Sequence, residues 1–393
     1  MEHLSIVNSF FLIFSGAAIL ASIVLYTRQP IIVAYIALGA LIGPYGLHYV
    51  SDAHLLSEIA EIGIIFLLFL LGLDMQPKSL MHMLRKATLV AIVSSLAFAF
   101  TGFMIGKGFG YSSQESVIIG CAMMFSSTII GIKLLPTTVL HHRHVGELVV
   151  GMLLLQDLVA IVVLLILGGS GTSADPDSNS IFSFVKTMLT LPLLIFVVFA
   201  TVKHVILKLI SKFDRFHEYI FLLTIGWCLG VAELAHYIGL SSEIGAFIAG
   251  ISIATSPIAQ YIAEHLKPLR DFFLVLFFFS LGASFNLGLL ADVILPSLLL
   301  AGLIIVIKPV IFRWLLTRSK EPNDIAWEAG FRLGQISEFS LLIAYLATAS
   351  ALIGTEASHL IQATAILTFI FNSYIVIFNF PNPIAISDKL RRD

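Results

Sequence analysis

Charged residues are scarce in this sequence. Asp, Glu, Lys and Arg make up 12% of the 393 residues, whereas a typical soluble domain carries about 25%. Hydrophobic residues make up 58%, and the mean hydropathy is +1.00. This composition excludes a soluble fold. An all-α polytopic membrane protein is expected, because a spanning helix satisfies its own backbone hydrogen bonds.

Cysteine and basic surface are also sparse. Cys121 and Cys228 both lie inside apolar runs, where a thiol acts as a small hydrophobe, and neither a disulfide pattern nor a CxxC metal pair is available. The formal net charge is −2 without a basic stripe, which argues against a nucleic-acid partner. The basic n-region of a signal peptide is missing after Met1, so the first apolar run is expected to remain as a helix.

Apolar residues fall into about thirteen runs, and roughly 20 apolar residues are enough for one crossing. The sequence therefore predicts about thirteen transmembrane helices, with the two termini on opposite sides of the membrane. The predicted runs are 7–26, 30–47, 54–74, 86–107, 113–134, 146–168, 184–204, 217–238, 241–256, 269–286, 292–316, 325–349 and 356–380.

The basic residues between these runs predict an orientation. With the N-terminus outside and the C-terminus cytoplasmic, only Lys107 and Lys186 fall on the outer side. Cytoplasmic loops carry an excess of Lys and Arg, so this placement is favoured. The residues then inside are Arg28, Lys78, Arg85, Lys86, Lys133, Arg143, Lys203, Lys208, Lys212, Arg215, Lys267, Arg270, Arg313, Arg318, Lys320, Lys389, Arg391 and Arg392.

Two short polar segments have weaker interpretations. The glycine-rich segment 168–180 is typical of a mobile outer connector, and no cytosolic helix follows it as a phosphate-binding loop would require. The histidines of segment 141–144 are typical of a solvated inner turn, with a metal site as the alternative.

Asp157 is the clearest polar residue at a predicted mid-membrane position. It lies halfway along the sixth run beside Gln156, and no basic residue on that run can reach it. A buried charge in a membrane is costly and usually functional. Lys308, embedded in the eleventh run, is the expected partner. The alternative is an ion pair that only holds two helices together, although a buried pair rarely repays its desolvation.

Two further runs carry polar residues that predict interrupted helices. Ser126, Ser127 and Thr128 are consecutive in the fifth run, where their hydroxyls compete with the helical ladder, although a continuous helix remains an alternative. The twelfth run contains Arg332, Gly334, Gln335, Ser337 and Glu338. Irregular backbone at membrane depth is tolerated only where it is buried in protein or lines a cavity.

The positions of the two interrupted runs predict an inverted repeat. Runs four to six correspond to runs eleven to thirteen, and the odd offset inverts the second triplet. Crossing broken helices would bring half-helix ends to the bilayer centre. Glu338 is expected to compensate one positive end, with an ion pair to Arg332 as the alternative.

Several of these motifs together resemble the Kef-type cation:proton antiporters, the glutathione-gated potassium efflux systems and their relatives. The resemblance covers nearly the whole chain. It implies the sodium/proton antiporter fold, a homodimer and an ion-binding role for Asp157. The motifs that carry it are Tyr35–Pro44, Ser126-Ser127-Thr128, Gln156-Asp157, Lys308-Pro309 and Gly334–Phe339.

The resemblance also implies a division of the chain. Dimerisation or panel helices are expected at 1–81 and 217–290, ion-binding core helices at 82–183 and 291–380, a linker helix at 184–216 and a cytoplasmic tail at 381–393. Kef-type systems usually continue into a cytosolic nucleotide-binding domain, which could also be supplied by another subunit. None is expected within the 393 residues of this sequence.

The resulting hypothesis is alternating-access exchange in a bacterial inner membrane, with a proton and an alkali cation competing for Asp157. Thr128, Ser127 and Gln156 are the expected co-ligands, while Ser126, Gln335, Ser337, Arg332, Lys308 and Glu338 support the site. No cofactor is expected. K⁺ is favoured over Na⁺ by the resemblance, and the neutral Gln156 predicts electroneutral one-for-one exchange. The alternatives are a Na⁺/H⁺ antiporter, a ligand-gated K⁺ channel without proton coupling and an anion symporter. An intramembrane enzyme is disfavoured because the runs contain no HExxH, paired-aspartate or Ser-His arrangement.

Overall fold

The computed structural model describes residues 6–50, 53–74, 77–135, 144–171, 180–213, 215–238, 240–254, 256 and 258–382. Within these ranges the fold is all-helical, as predicted, and helices occupy each of the thirteen predicted runs. Most of segment 141–144, most of the 168–180 connector and the tail beyond residue 382 lie outside the described residues.

The helices are numbered here in chain order. They are α1 Ile6–Tyr26, α2 Ile31–Ile42, α3 Ala53–Asp74, α4 Pro77–Gly108, α5 Ser113–Met123, α6 Thr128–Lys133, α7 His144–Gly171, α8 Ser180–Thr201, α9 Leu207–Lys212, α10 His217–Tyr237, α11 Ser242–Ala254, α12 Ala259–Ala283, α13 Leu290–Arg318, α14 Asn323–Arg332, α15 Glu338–Ala349 and α16 Thr355–Asn379. A π-helical turn, Val202–Ile206, joins α8 to α9, and a 3₁₀ turn, Leu287–Leu289, precedes α13.

Length and composition identify the helices that can cross a membrane. In the described ranges, six helical spans are long and apolar enough: Val7–Tyr26, Thr88–Gly108, Thr190–Lys212, His217–Tyr237, Ala291–Arg318 and Thr355–Asn379. Other apolar helices are shorter, such as Ile31–Ile42 and Ser242–Ala254. The chain is therefore a multi-pass membrane protein.

Two predicted helix starts differ most from the observed ones. In the fourth predicted run, α4 begins at Pro77 rather than near residue 86, and in the tenth run, α12 begins at Ala259 rather than near residue 269. Both extensions contain charged residues, which interrupt an apolar run but not a backbone hydrogen-bond ladder. Pro268 lies inside α12 without ending it. The apolar pattern measures the hydrophobic part of a helix and not its whole length.

Packing divides the helices into two sets. In one set, α3 packs against α11 and α12, α2 packs against α12, and α10 packs against α11. Glycines permit the close approach of α2 and α12: a Cβ on Gly39 would lie 2.0 Å from the Phe279 carbonyl oxygen, and one on Gly282 would lie 2.0 Å from that of Ile36. Small residues at such crossings are typical of membrane helix interfaces.

The other set contains two triplets of spanning helices. The first triplet is α4, the broken span of α5 and α6, and α7. The second is α13, the broken span of α14 and α15, and α16. In each triplet the second spanning helix is interrupted, at Met124–Ser127 between α5 and α6 and at Leu333–Ser337 between α14 and α15. The half-helices that precede the breaks, α5 and α14, pack through a glycine in the same way. Gly120 of α5 lies against the backbone of Ala99, and Gly330 of α14 lies against that of Pro309. The predicted pair of broken helices in corresponding positions is confirmed.

Candidate ion-binding site

The two interruptions lie against each other in the protein interior. Ser126 in the first break donates its hydroxyl to the carbonyl of Leu333, the first residue of the second break, at 2.7 Å. Ser340 of α15 likewise donates its hydroxyl to the carbonyl of Ala122 in α5. Polar side chains of each broken helix therefore bond to backbone carbonyls of the other helix, which stabilises the crossing.

Serine residues restart both helices after the breaks. The Ser127 hydroxyl accepts from the Ile130 amide at 3.1 Å at the beginning of α6, and the Ser337 hydroxyl accepts from the Phe339 amide at 3.1 Å at the beginning of α15. Serine is a favoured N-cap because its oxygen satisfies one of the free amides of the first turn. Each N-terminus carries roughly half a positive charge, so two positive helix ends are buried near the crossing.

Asp157 on α7 is aimed at the beginning of α6. Its side chain is fully buried, and its Oδ2 accepts a hydrogen bond of 2.9 Å from the hydroxyl of Thr128, the first residue of α6. Its Oδ1 is also buried and has no hydrogen-bond partner among the described residues. A carboxyl oxygen without a donor is costly in the interior, and a proton or a cation would satisfy it.

Gln156, the neighbour of Asp157, holds the first break. Its Oε1 accepts from the backbone amide of Ser126 at 3.1 Å, and the side chain is fully buried. Gln156 Nε2 has no hydrogen-bond partner in the described part of the chain. The amide therefore fixes the unwound backbone with its oxygen and leaves a donor, rather than an acceptor, to spare.

Lys308 lies at the junction of the two breaks. Its Nζ donates to the carbonyls of Phe125 at 2.6 Å and Gln335 at 3.0 Å, and to the Ser126 hydroxyl at 3.2 Å. The expected pairing of Lys308 with Asp157 is wrong: among the described residues no salt bridge joins them. Lys308 instead neutralises the carbonyl ends of the two first half-helices, where a cation is favoured.

Arg332 also finds partners other than the one considered from the sequence. It forms an ion pair with Glu328, one turn earlier on α14, with Nη2 to Oε1 at 2.6 Å. Its guanidinium also donates to the carbonyls of Leu134 at 2.8 Å and Pro381 at 2.7 Å. Arg332 therefore connects α14 with the end of α6 and with the segment that follows α16. Glu338 is buried in the first turn of α15, and its compensating role stays a prediction.

Two residues of α16 belong to this site and were missed from the sequence. The Thr368 hydroxyl accepts from the Ile336 amide in the second break at 3.1 Å. Asn372 donates its amide to the Phe331 carbonyl at 3.0 Å and to Gln335 Oε1 at 2.5 Å. Both side chains are fully buried. The signal that could have found them is the i, i+4 spacing of Thr364, Thr368 and Asn372, which places three polar side chains on one face of α16.

Comparison with known proteins identifies the family of this chain. The family model described as sodium/hydrogen exchanger, transmembrane, matches residues 10–378. The chain belongs to the sodium/hydrogen exchanger family. The family match spans both broken helices, Asp157 and Lys308, and the resemblance to Kef-type antiporters is confirmed by the relatives.

Three relatives are similar to this chain over most of its length. It is 31% identical to K(+) efflux antiporter 4 of Arabidopsis thaliana, with 87% of this chain and 58% of that protein covered. It is 28% identical to the glutathione-regulated potassium-efflux system protein KefC of Escherichia coli K12, with 84% and 54% covered. It is 26% identical to the iron transporter MagA of Paramagnetospirillum magneticum, with 88% and 79% covered. The chain thus spans little more than half the length of the first two.

A solved structure confirms the predicted fold. The sodium proton antiporter MjNhaP1 from Methanocaldococcus jannaschii superposes with a TM-score of 0.72 at 18% identity, covering 94% of this chain and 96% of that one. At this identity the likeness concerns the fold. The helix crossing in this chain brings together the buried carboxyl of Asp157 and the hydroxyl of Thr128. Oxygen groups of this kind can hold a single proton or a dehydrated monovalent cation.

Proposed function

We propose that this protein is a secondary active transporter that exchanges a monovalent cation, preferably K⁺, for protons, with both ions competing for Asp157. The observation that carries this proposal is the geometry of that side chain. One carboxyl oxygen is held by Thr128, the other has no hydrogen-bond partner among the described residues, and both lie beside two mutually braced helix breaks. A proton bound to the second oxygen satisfies it in the proton-loaded state, and a cation does so in the cation-loaded state.

Neutralisation supplies the coupling. Lys308 donates to backbone carbonyls, so among the described residues no ion pair cancels the carboxylate charge of Asp157. An empty site would carry that charge through a low-dielectric region at a cost of several kcal/mol, whereas an occupied site would not. Movement of the loaded core is therefore favoured over movement of the empty one, and this difference enforces exchange instead of leak.

The cation preference is supported by the relatives. Two of the three carry potassium efflux in their names, and the family model is that of sodium/hydrogen exchangers. Oxygen ligands suit K⁺ and Na⁺ alike, so cavity size and the number of ligands decide between them. The neutral Gln156 beside Asp157 supports an electroneutral one-for-one exchange, because a second titrating acid would change the charge carried per cycle.

The architecture supports a moving core. The two triplets of α4–α7 and α13–α16 form the proposed ion-binding core, and the glycine-packed helices α2, α3, α11 and α12 form the proposed panel, which also makes a homodimer. Alternating access would be a displacement of the core relative to the panel. The distribution of basic residues supports an N-terminus outside and a C-terminus inside the cell.

Transport in proteoliposomes tests this function. The purified protein is reconstituted with a pH-sensitive fluorophore, a proton gradient is imposed, and K⁺, Na⁺, Rb⁺ or Li⁺ is added in turn. Proton efflux should follow K⁺ most strongly, and Asp157→Asn should remove it. Asp271→Asn is the matched control, because Asp271 is exposed and pairs with the adjacent Arg270. Full activity of Asp157→Asn would overturn the proposal.

The same assay distinguishes the alternatives. A ligand-gated K⁺ channel would pass K⁺ without moving protons, and an anion symporter would respond to the anion rather than to the cation. A sodium-specific antiporter would respond to Na⁺ and Li⁺ only. A proton flux that changes with an imposed membrane potential at saturating cation would contradict one-for-one exchange.

A further inference from the structure

We propose that Asn372 is a positioning residue for the cation site and acts through the side-chain amide of Gln335. The inference rests on the proposed function, but the contacts that carry it do not include Asp157. Asn372 lies on α16, is fully buried, and contacts Phe331 and Gln335 at the second break.

Backbone carbonyls determine the orientation of both amides. The Phe331 carbonyl can only accept, and it lies 3.0 Å from Asn372 Nδ2, so the amino group of Asn372 must face it. The same Nδ2 lies 2.5 Å from the Gln335 side chain, which must therefore present its oxygen. Asn372 Oδ1 has no hydrogen-bond partner among the described residues, so no competing bond favours the flipped amide.

The opposite end of Gln335 reaches the first broken helix. With Oε1 held by Asn372, Gln335 Nε2 points to the Ser127 carbonyl at 3.4 Å. That carbonyl also accepts the Gly131 amide at 3.0 Å, which is the first backbone bond of α6. The chain Phe331, Asn372, Gln335 and Ser127 is therefore a hydrogen-bonded brace from the end of α14 to the beginning of α6.

The brace ends beside the cation site. Ser127 immediately precedes Thr128, whose hydroxyl is the donor to Asp157. An Asn372 side chain in this orientation makes Gln335 a donor towards α6 and keeps the Gln335 oxygen away from the cation. Without it, the Gln335 amide is free to turn, and the position of Thr128 relative to Asp157 loses one of its supports.

Space around the brace is limited. A Cβ on Gly334 would lie 2.5 Å from Asn372 Oδ1, so the second break approaches the asparagine closely. Leucine at position 372 is similar in size to asparagine and removes both donors. Asn379→Leu is the matched control, because Asn379 is on the same helix and is exposed, and among the described residues it donates only to the Ile375 carbonyl of its own helix.

A double-mutant cycle on the apparent KM for K⁺ tests the inference. Wild type, Asn372→Leu, Gln335→Met and the double variant are purified as the full chain and assayed by K⁺-driven proton flux in proteoliposomes. Each single variant should raise the KM at least three-fold with a smaller change in maximal rate. Because Asn372 acts through Gln335, the double variant should have the KM of Gln335→Met alone, and Asn379→Leu should match wild type.

Several results would overturn the inference. An unchanged KM in Asn372→Leu contradicts it, as do two effects that multiply in the double variant. A loss of maximal rate with an unchanged KM would indicate a purely structural role and also contradicts it. If Asn372→Leu does not fold, Asn372→Ser and Asn372→Asp replace it in the cycle. Failure of the proposed function is distinct, since wild type itself would then show no cation-dependent proton flux.

Discussion

Lys308 lies over the ring of Phe98, with its Nζ 5.2 Å from the ring centroid. The two residues occupy corresponding positions of the repeats, 210 places apart, as do the two carbonyls that Lys308 binds, those of Phe125 and Gln335. The lysine therefore lies where the two triplets face each other. One repeat supplies the ammonium group and the other supplies an aromatic face, which attracts a cation.

This position predicts a structural role for Lys308. Lys308→Met keeps the apolar stem but leaves two buried carbonyls without their donor, at a cost of about 1–3 kcal/mol each. The thermal unfolding temperature in detergent should fall clearly. Lys208→Met is the control, because Lys208 is exposed and such changes are usually within about 0.5 kcal/mol. Equal unfolding temperatures for the two variants would contradict this role.

The hydroxyl of Thr128 should matter for cation affinity. Thr128→Val removes the donor to Asp157 Oδ2 while keeping the side-chain shape, and a hydrogen bond to a charged group contributes about 1.5–3 kcal/mol. The apparent KM for the cation should rise about ten-fold or more in the flux assay. Thr128→Ser keeps the hydroxyl and should remain near wild type. Similar KM values for the valine and serine variants would show that the hydroxyl is not used.

The ion pair between Arg332 and Glu328 should contribute to the stability of the fold. Arg332→Met leaves Glu328 without its ion-pair partner and removes the donors to Leu134 and Pro381, and breaking such a buried pair costs about 3–5 kcal/mol. Glu328→Gln keeps a polar partner and should cost less. The measurement is the unfolding temperature of each variant. A smaller loss for Arg332→Met than for Glu328→Gln would refute the anchoring role.

The crossing of α2 and α12 can be tested with glycine. Gly282→Ala would place a Cβ 2.0 Å from the Ile36 carbonyl oxygen, so the two helices must separate. Overpacking of this kind costs about 1–3 kcal/mol. Gly226→Ala is the control, because a Cβ there meets nothing within 4 Å and alanine is the better helix former. Thermal unfolding should place Gly282→Ala below wild type and Gly226→Ala at or above it.

The sequence was most informative where polar residues interrupt apolar runs. Ser126-Ser127-Thr128 and the stretch around Gln335 predicted both breaks, because hydroxyl and amide groups in a spanning helix have few uses other than to bind freed backbone. The repeat followed from the spacing of the two breaks. Buried Asp157 was predicted for the same reason, since an acid has no place on a lipid-facing surface.

The partners of the charged residues could not be predicted in the same way. Lys308 was expected to pair with Asp157 because opposite charges are the simplest solution, but the carbonyls freed by the breaks are nearer and equally able to accept. Hydropathy locates a helix but does not give its rotation. Thr368 and Asn372 were missed because single uncharged polar residues in an apolar helix carry a weak signal, and only the geometry shows that they face the second break.

The pH dependence of the cation KM tests competition at Asp157 most directly. Initial rates of K⁺-driven proton flux are measured in proteoliposomes over a range of K⁺ concentrations, at several pH values equal on both sides of the membrane. If proton and cation bind the same carboxylate, the apparent KM for K⁺ falls as pH rises, by up to about ten-fold per unit, while the maximal rate at saturating K⁺ stays constant. A KM independent of pH, with a pH-dependent maximal rate instead, would contradict a shared site.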